Sequence, residues 1–472
     1  MRALTARQIA HIMDARLTTA DPGQAFRAVT TDSRNIAPGA LFVALKGDRF
    51  DGHDFAKAAL VAGAGGVVVS RPVDAPAGAT VFQVADTQQA LERLAVALRT
   101  LHPGRFIAVT GSVGKTSTKE LLAAALSPFG KVGKTPGNYN NHIGVPLTLA
   151  ALDGDEDFVV MELGMSAPGE IARLTHLARP DLGLVTRAEA VHLEFFDSVD
   201  QIADAKAELY EHLGPHALAV ANADDARMLP RAQAFHDAPV TFGRAASAAV
   251  QIVDAHHTAA GLAIAIRIAG KTLDVTVPTL GLHMAENVAA ALAAVHTLAL
   301  DPTRAIAALA TAYRPPPHRM ALTALGTVQV LDDCYNANPA ATRAALLTFA
   351  EVFAKTPRAH RLAVIGSMRE LGPTAEIHHA KIGRLAGETA ATVLATGPHA
   401  ASLSSSATAA GAASHAADDF EALRQVFATW LQTHPNGVIL LKGSRGERLE
   451  RALTPQMGAS SGGALSSPGG GH

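Results

Sequence analysis

The chain has 472 residues, of which 48% are hydrophobic and 17% charged. This is too apolar for a disordered scaffold and long enough for about three domains at roughly 150 residues each. Forty Lys and Arg against 42 Asp and Glu leave a formal net charge of −2, so no global field favours nucleic acid or an anionic membrane and any phosphate binding must be local.

Residues 1–17 are interrupted by Arg2, Arg7, His11, Asp14 and Arg16. They lack the apolar run of a secretory signal and are expected to form one amphipathic helix. The most apolar run elsewhere, 58–69, is too short to span a bilayer and is broken by Gly63, Gly65 and Gly66, so the expectation is a soluble cytoplasmic protein. Short β-rich runs at 41–45, 66–69 and 80–84, with helical stretches at 55–62 and 87–101, predict a small α/β unit over 1–102. The turn His102-Pro103-Gly104 opens a second unit, 103–314. There, strands at 106–109, 158–162, 183–186 and 217–221 alternate with helical segments, as in a parallel sheet covered by helices. Residues 262–268 and 273–277 alternate apolar and polar around Gly270-Lys271, which predicts an antiparallel hairpin, and an alanine-rich helix follows at 285–298.

Tyr313-Arg314-Pro315-Pro316-Pro317 cannot continue a helix, because proline lacks the amide donor and extends its predecessor, so it marks a hinge. Beyond it, strands at 328–332, 362–365, 392–395 and 438–442 alternate with helices, predicting a doubly wound, Rossmann-like α/β unit over 315–455. The Gly/Ser tail, 456–472, is too poor in apolar side chains to offset ordering entropy and is expected to be disordered. The single cysteine, Cys334, excludes an internal disulfide and a cysteine-based cage and fits a reducing compartment; it reads as a small buried filler without chemistry.

The sharpest chemical signal is Thr110-Gly111-Ser112-Val113-Gly114-Lys115-Thr116, set between a buried strand and a helical run. Its glycines let backbone amides wrap a phosphate, the helix N-terminus adds positive potential, Lys115 reaches the terminal phosphates and Thr116 can hold Mg²⁺. The usual phosphate-binding loop has its first glycine where this chain has Val109, so the match is to a shorter variant beginning at Gly111. A nucleotide with Mg²⁺ needs a carboxylate from a neighbouring strand end, and Glu162 is the candidate. His192 follows another strand end but is one of 21 histidines, and taken by itself it reads first as a surface or core-edge residue. Lys206 taken by itself reads as a solvated helix lysine. Two further strand-end loops, 332–339 and 442–445, stand where open α/β sheets carry ligands.

Together these motifs resemble the Mur ligases of peptidoglycan synthesis over residues 31–448. The resemblance is carried by Thr31-Asp32-Ser33-Arg34, the stretch 38–55, the glycine loop, Gly137-Asn138-Tyr139-Asn140-Asn141-His142-Ile143-Gly144-Val145-Pro146, Glu162-Leu163-Gly164, Gly366-Ser367-Met368-Arg369-Glu370-Leu371-Gly372 and Lys442-Gly443-Ser444-Arg445. The asparagine-rich stretch and Asp332-Asp333-Cys334-Tyr335-Asn336-Ala337-Asn338-Pro339 are similar to the branch that adds D-alanyl-D-alanine. The D-N-P-R motif of the branch adding the third residue is absent from the sequence. His318 stands where the family usually has glycine.

The resemblance implies an ATP- and Mg²⁺-dependent ligase that joins D-alanyl-D-alanine to UDP-N-acetylmuramoyl-tripeptide through an acyl phosphate, acting as a monomer with no nucleic-acid or membrane partner. It implies ATP binding by Thr110, Gly111, Ser112, Val113, Gly114, Lys115, Thr116, Asn287, Arg319 and Asp333. It assigns metal binding to Thr116, Glu162, His192 and a carbamylated Lys206, and catalytic roles to Lys115, Lys206 and His192. It assigns the UDP substrate to Ser33, Arg34, Lys46, Asn138 and Asn141. The alternatives are another Mur-type ligase, a folylpolyglutamate synthase, which lacks the UDP-binding first domain, and a nucleotide-switch protein, against which the absence of an N-K-x-D-like motif speaks.

Overall fold

A computed structural model describes residues 1–47, 49–191, 194–417 and 419–453; His192 and the tail 456–472 lie outside the described residues. The first unit is built on a five-stranded sheet. Its strand Arg16–Thr18 runs antiparallel to Thr80–Gln83, followed by Gly66–Val69, Leu41–Val43 and Val29–Thr30 in parallel. The helix Thr87–Leu101 starts where Asp86 accepts the Gln89 N–H and buries Leu91, Leu94 and Leu98 along one stripe. The single helix expected over 1–17 is corrected. Only Ala6–Met13 is helical, started by a reciprocal Thr5–Gln8 capping box and stopped by Asp14 in the left-handed region (φ 55°). Leu4–Thr5 before it pairs with Ala25–Phe26, so local capping and tertiary pairing override the helical periodicity.

The central unit is one nine-stranded sheet. Val132–Lys134, Phe158–Glu162, Arg105–Thr110, Leu182–Val185, Leu218–Asn222, Val240–Gly243 and Val250–Thr258 are parallel neighbours, and the strands Gly261–Ile268 and Lys271–Val277 extend the sheet antiparallel. The expected hairpin is therefore a continuation of the parallel sheet. The three strands Val132–Lys134, Val240–Gly243 and Val250–Thr258 have no counterpart in the sequence reading. Neither does the helix Pro302–Thr311, although Pro302 and the cap Asp301 are a recognisable start signal. The alanine-rich helix Met284–Thr297 packs against Lys115–Leu126, and Ala289, Ala290, Ala291, Ala293 and Ala294 are fully buried. Small side chains there let the two helix backbones approach closely, which ties the glycine loop to the segment carrying Asn287.

The third unit has a six-stranded sheet: Ala321–Leu325, Val328–Asp332, Val438–Lys442, Arg361–Ile365, Thr392–Thr396 and Ala413–Ala417, the first antiparallel and the others parallel. Its four expected strands are present, and edge strands flank them on both sides. Among the described residues no helix is long and apolar enough to cross a membrane.

Candidate functional site

The strand Arg105–Thr110 ends in the glycine loop, which opens directly into the helix Lys115–Leu126. Two glycines are required by geometry. Gly111 has φ 144°, and a Cβ there would lie 1.9 Å from Thr186 Oγ1; Gly114 has φ 82°, and a Cβ would lie 2.4 Å from Asn287 Oδ1. The loop is held from behind: Thr186 Oγ1 donates to Val113 O at 2.6 Å, Ser112 N donates to Arg187 O at 2.7 Å, and Ser112 Oγ donates to Glu189 O at 3.1 Å. Lys115 Nζ donates to Gly111 O at 2.6 Å and Ser112 O at 3.3 Å. Burial pulls this ammonium below its ordinary value, with Glu162 opposing and Arg319 reinforcing the shift.

A cleft of about 740 Å³ lies over this loop. Its lining brings together Ser112, Val113, Gly114, Lys115 and Thr116 from the loop, Glu162, Asn287, Asn138 and Asn141 from the central unit, and Arg319 and Asp333 from the third. Thr110 and Gly111 are both buried and do not line the cleft themselves. Arg319 Nη2 donates to Thr116 Oγ1 at 3.1 Å, and its guanidinium stacks over Tyr335 at 4.3 Å, so the third unit touches the very hydroxyl that follows Lys115. Asp333 is paired with Lys442 at 2.6 Å and accepts the Met320 N–H at 3.1 Å. Asn287 Oδ1 accepts from Thr118 Oγ1 at 3.4 Å.

Glu162 ends its strand at 2% exposure. Oε1 accepts from Asn140 Nδ2 at 2.8 Å, whereas Oε2 is buried without a hydrogen-bond partner. A buried carboxylate oxygen with no hydrogen bond, beside a phosphate-type loop and with its ion-pair partner Lys119 at 3.8 Å, has coordination left for a cation. Lys206, on the helix Val199–Glu211, is 1% exposed, which overturns its reading as a solvated helix lysine. Burial, reinforced by the charge of Lys115, holds its ammonium well below the ordinary value.

Asn141 and Asn138 play different local parts. Asn141 Oδ1 accepts the Ile143 and Gly144 N–H groups at 3.1 and 2.8 Å, and so starts the helix Gly144–Ala151, whereas the exposed Asn138 faces the cleft. Ser33, Arg34 and Lys46 are not brought to the cleft; they lie on the first unit, where Arg34 forms a bidentate pair with Asp32 at 2.9 and 2.8 Å. Hydrogen bonds from Arg34 draw the Asp32 carboxyl down to about 2. The units are joined near the site by Gln88 Nε2 donating to His142 O at 2.7 Å and by the Glu194 N–H donating to Glu370 O at 3.3 Å.

The sequence reading passed over Thr186, Arg187, Glu189, Glu170 and Arg173, which also line the cleft. Thr186 and its neighbours follow the strand Leu182–Val185, so their strand-end position was a usable signal. Cys334 is fully buried, with Sγ donating to Asp332 Oδ1 at 2.8 Å and lying 3.9 Å from His318 Nδ1. Burial and the adjacent carboxylates push its thiol far up, in keeping with an inert side chain. His318 has φ 60°, a conformation natural to glycine, and is held there by Asp332 Oδ2 at 2.7 Å.

Three family models match the chain: the Mur ligase family, catalytic domain over residues 25–99, the Mur ligase middle domain over 109–295, and the Mur ligase, glutamate ligase domain over 318–445. The Escherichia coli UDP-N-acetylmuramoyl-tripeptide--D-alanyl-D-alanine ligase is 36% identical over 96% of this chain and 98% of its own length. Among solved structures, MurF from Acinetobacter baumannii aligns with a TM-score of 0.86 at 28% identity, covering 97% of this chain and 99% of that one. MurF from Thermotoga maritima in complex with ADP aligns with a TM-score of 0.79 at 28% identity, covering 92% and 99%.

Proposed function

Given that the chain belongs to the Mur ligase family, we propose that it is the ATP-dependent ligase that joins D-alanyl-D-alanine to UDP-N-acetylmuramoyl-tripeptide in cytoplasmic peptidoglycan precursor synthesis. The observation that carries this reading is a single cleft lined both by a glycine loop with Lys115 and Thr116 and by the strand-end loops of the third unit. A nucleotide phosphate and an acceptor can then meet between domains. The proposed limits of those domains are 1–102, 103–314 and 315–455. The near full-length match to the E. coli ligase supports the substrate pair, and the ADP complex of the T. maritima neighbour supports nucleotide use.

In this reading Thr110, Gly111, Ser112, Val113 and Gly114 cradle the phosphates of ATP while Lys115 offsets their charge. Asn287 and Asp333 hold the adenine and ribose, and Arg319 joins the phosphate contacts. The tripeptide carboxylate attacks the γ-phosphorus, giving an acyl phosphate and ADP. The dipeptide amine then adds to the acyl carbon, and inorganic phosphate leaves as the amide forms. Carboxylate and phosphate are both anions, so preorganised cations in a water-poor cleft lower the cost of their approach. Thr116 and Glu162, whose Oε2 has no hydrogen-bond partner, suit Mg²⁺, which when bound would neutralise charge developing on the phosphates. His192 is proposed to join them. Burial disfavours the ammonium of Lys206; its amine can add to carbon dioxide with release of one proton, and the resulting carbamate would be an anionic ligand for metal. Ser33, Arg34 and Lys46 are proposed to hold the UDP end and Asn138 and Asn141 the part of the substrate nearer the cleft.

Phosphate release measured with ATP plus each substrate singly, and then with both, tests the reading. Sustained release, with formation of the amide, is expected only with UDP-tripeptide and D-alanyl-D-alanine together. Turnover of ATP without either would overturn it.

A further inference from the structure

Lys119 takes no part in the chemistry proposed above, yet it is fully buried, one turn beyond Lys115 on the same helix face. An ammonium is tolerated at such depth only where acceptors surround it. Its Nζ donates to Thr135 O at 2.8 Å and Gly137 O at 3.2 Å. It also lies 3.2 Å from Glu120 Oε1 and 3.8 Å from Glu162 Oε2. Thr135 ties the same turn to the carboxylate strand: its hydroxyl accepts the Glu162 N–H at 2.9 Å and its own N–H donates to Val160 O at 3.0 Å. Asn140 makes a second tether, through Nδ2 to Glu162 Oε1 and through its carbonyl, which accepts the Gly164 N–H at 2.8 Å. Lys119 itself does not line the cleft, whereas Asn138, Asn140 and Asn141 do.

We infer that Lys119 is a positioning residue: it locks the turn 135–141 to the phosphate-loop helix, so that the asparagines facing the substrate and the carboxylate of Glu162 are held as one body. The inference rests on the functional reading above for what Asn138 and Asn141 face. The lock itself follows from the ammonium. Two backbone carbonyls converge on it, and no neutral side chain of that length offers them equivalent donors. The arrangement links the two halves of the cleft through the interior. Disturbing it should affect recognition of the UDP substrate before it affects the grip on phosphate.

Lys119→Met keeps the stem and removes charge and donors. With a non-hydrolysable ATP analogue and Mg²⁺ present, calorimetric affinity for UDP-tripeptide is expected to weaken roughly tenfold, as for one lost charge-assisted hydrogen bond. ADP affinity measured without metal should be unchanged. In turnover the loss should fall on KM for UDP-tripeptide rather than on kcat, with Lys119→Arg recovering part of it. Asn140→Ala cuts the second tether, and its effect combined with Lys119→Met should fall short of the sum, since both act through one turn. Unchanged UDP-tripeptide affinity in folded Lys119→Met overturns the inference. Should that variant fail to fold, Lys119→Gln, which keeps donors for one carbonyl, carries the same measurement. A wild-type protein that binds no UDP-tripeptide overturns the functional reading instead. Limited proteolysis at 135–141 then reads the lock directly: faster cleavage in the variant upholds it, and equal cleavage overturns it.

Discussion

Replacing Gly114 by alanine should separate backbone strain from loss of the nucleotide site. At φ 82° an alanine is held in the left-handed region, which costs about 1–2 kcal/mol. The added Cβ would sit 2.4 Å from Asn287 Oδ1, about 1 Å inside ordinary van der Waals contact, so Asn287 must retreat. Asn287 is 8% exposed, and its Oδ1 accepts from Thr118 Oγ1 at 3.4 Å; losing that bond costs about another 1 kcal/mol. The total, about 2–3 kcal/mol, corresponds to roughly 30- to 150-fold in an equilibrium constant where it falls on binding. Gly78 is the control: it has φ 83° with nothing within 4 Å of an added Cβ. Gly78→Ala therefore carries the same backbone cost without the collision. Calorimetric titration of both variants with ADP and Mg²⁺ should show near wild-type affinity for Gly78→Ala and a loss of at least roughly tenfold for Gly114→Ala. A folded Gly114→Ala that binds ADP as tightly as Gly78→Ala would refute the geometric argument.

Lys115→Ala is expected to lower substrate-dependent phosphate release by at least roughly 10²-fold, as for removal of a preorganised charge from a transition state. Its far-ultraviolet circular dichroism should stay that of wild type, and retained turnover would count against the assigned phosphate site. Lys206→Ala should impair turnover more than ADP affinity, with short carboxylates restoring part of the rate; wild-type kinetics would exclude the carbamate. The His318–Asp332 pair should give stability a pH dependence with two limbs. Hydrogen bonding to Asp332 raises the His318 value, so its contribution is complete below about 6.5, the unfolded imidazole value, and lost as pH rises through the higher folded value. Burial opposes but hydrogen bonds from His318 and Cys334 outweigh it at Asp332, leaving that carboxyl below its ordinary value. Its share is present above the unfolded value and lost as pH falls through the lower folded one. Urea titrations across pH should show the upper limb vanish in His318→Asn, which tolerates φ 60° without titrating; an unchanged upper limb would remove His318 as its source.

The glycine loop was legible because three local signals agree: a run of residues buried on both faces, glycines at the sharp turn, and a helix start. The strands Phe158–Glu162, Val328–Asp332 and Val438–Lys442 match their expected bounds, since their apolar runs end at polar residues, of which Glu162 and Lys442 line the cleft. Val132–Lys134 and Ala413–Ala417 were not legible: they are edge strands, carry no apolar run, and exist only because a neighbouring strand offers hydrogen bonds. Lys119 escaped for a related reason. Its partners are backbone carbonyls at 135 and 137, and a carbonyl has no letter in a sequence. Lys206 illustrates the limit of composition, because only packing distinguishes a buried lysine from a solvated one.

The continuity of the nine-stranded sheet bears on how the molecule can be cut. The hairpin strands Gly261–Ile268 and Lys271–Val277 lie beside Val250–Thr258, so a fragment ending before residue 261 would leave a nine-residue ribbon with open hydrogen-bonding groups. Such a ribbon is a template for association between copies. Shortened versions intended for crystallisation or screening should therefore keep the hairpin, even though it stands far from the glycine loop along the sheet.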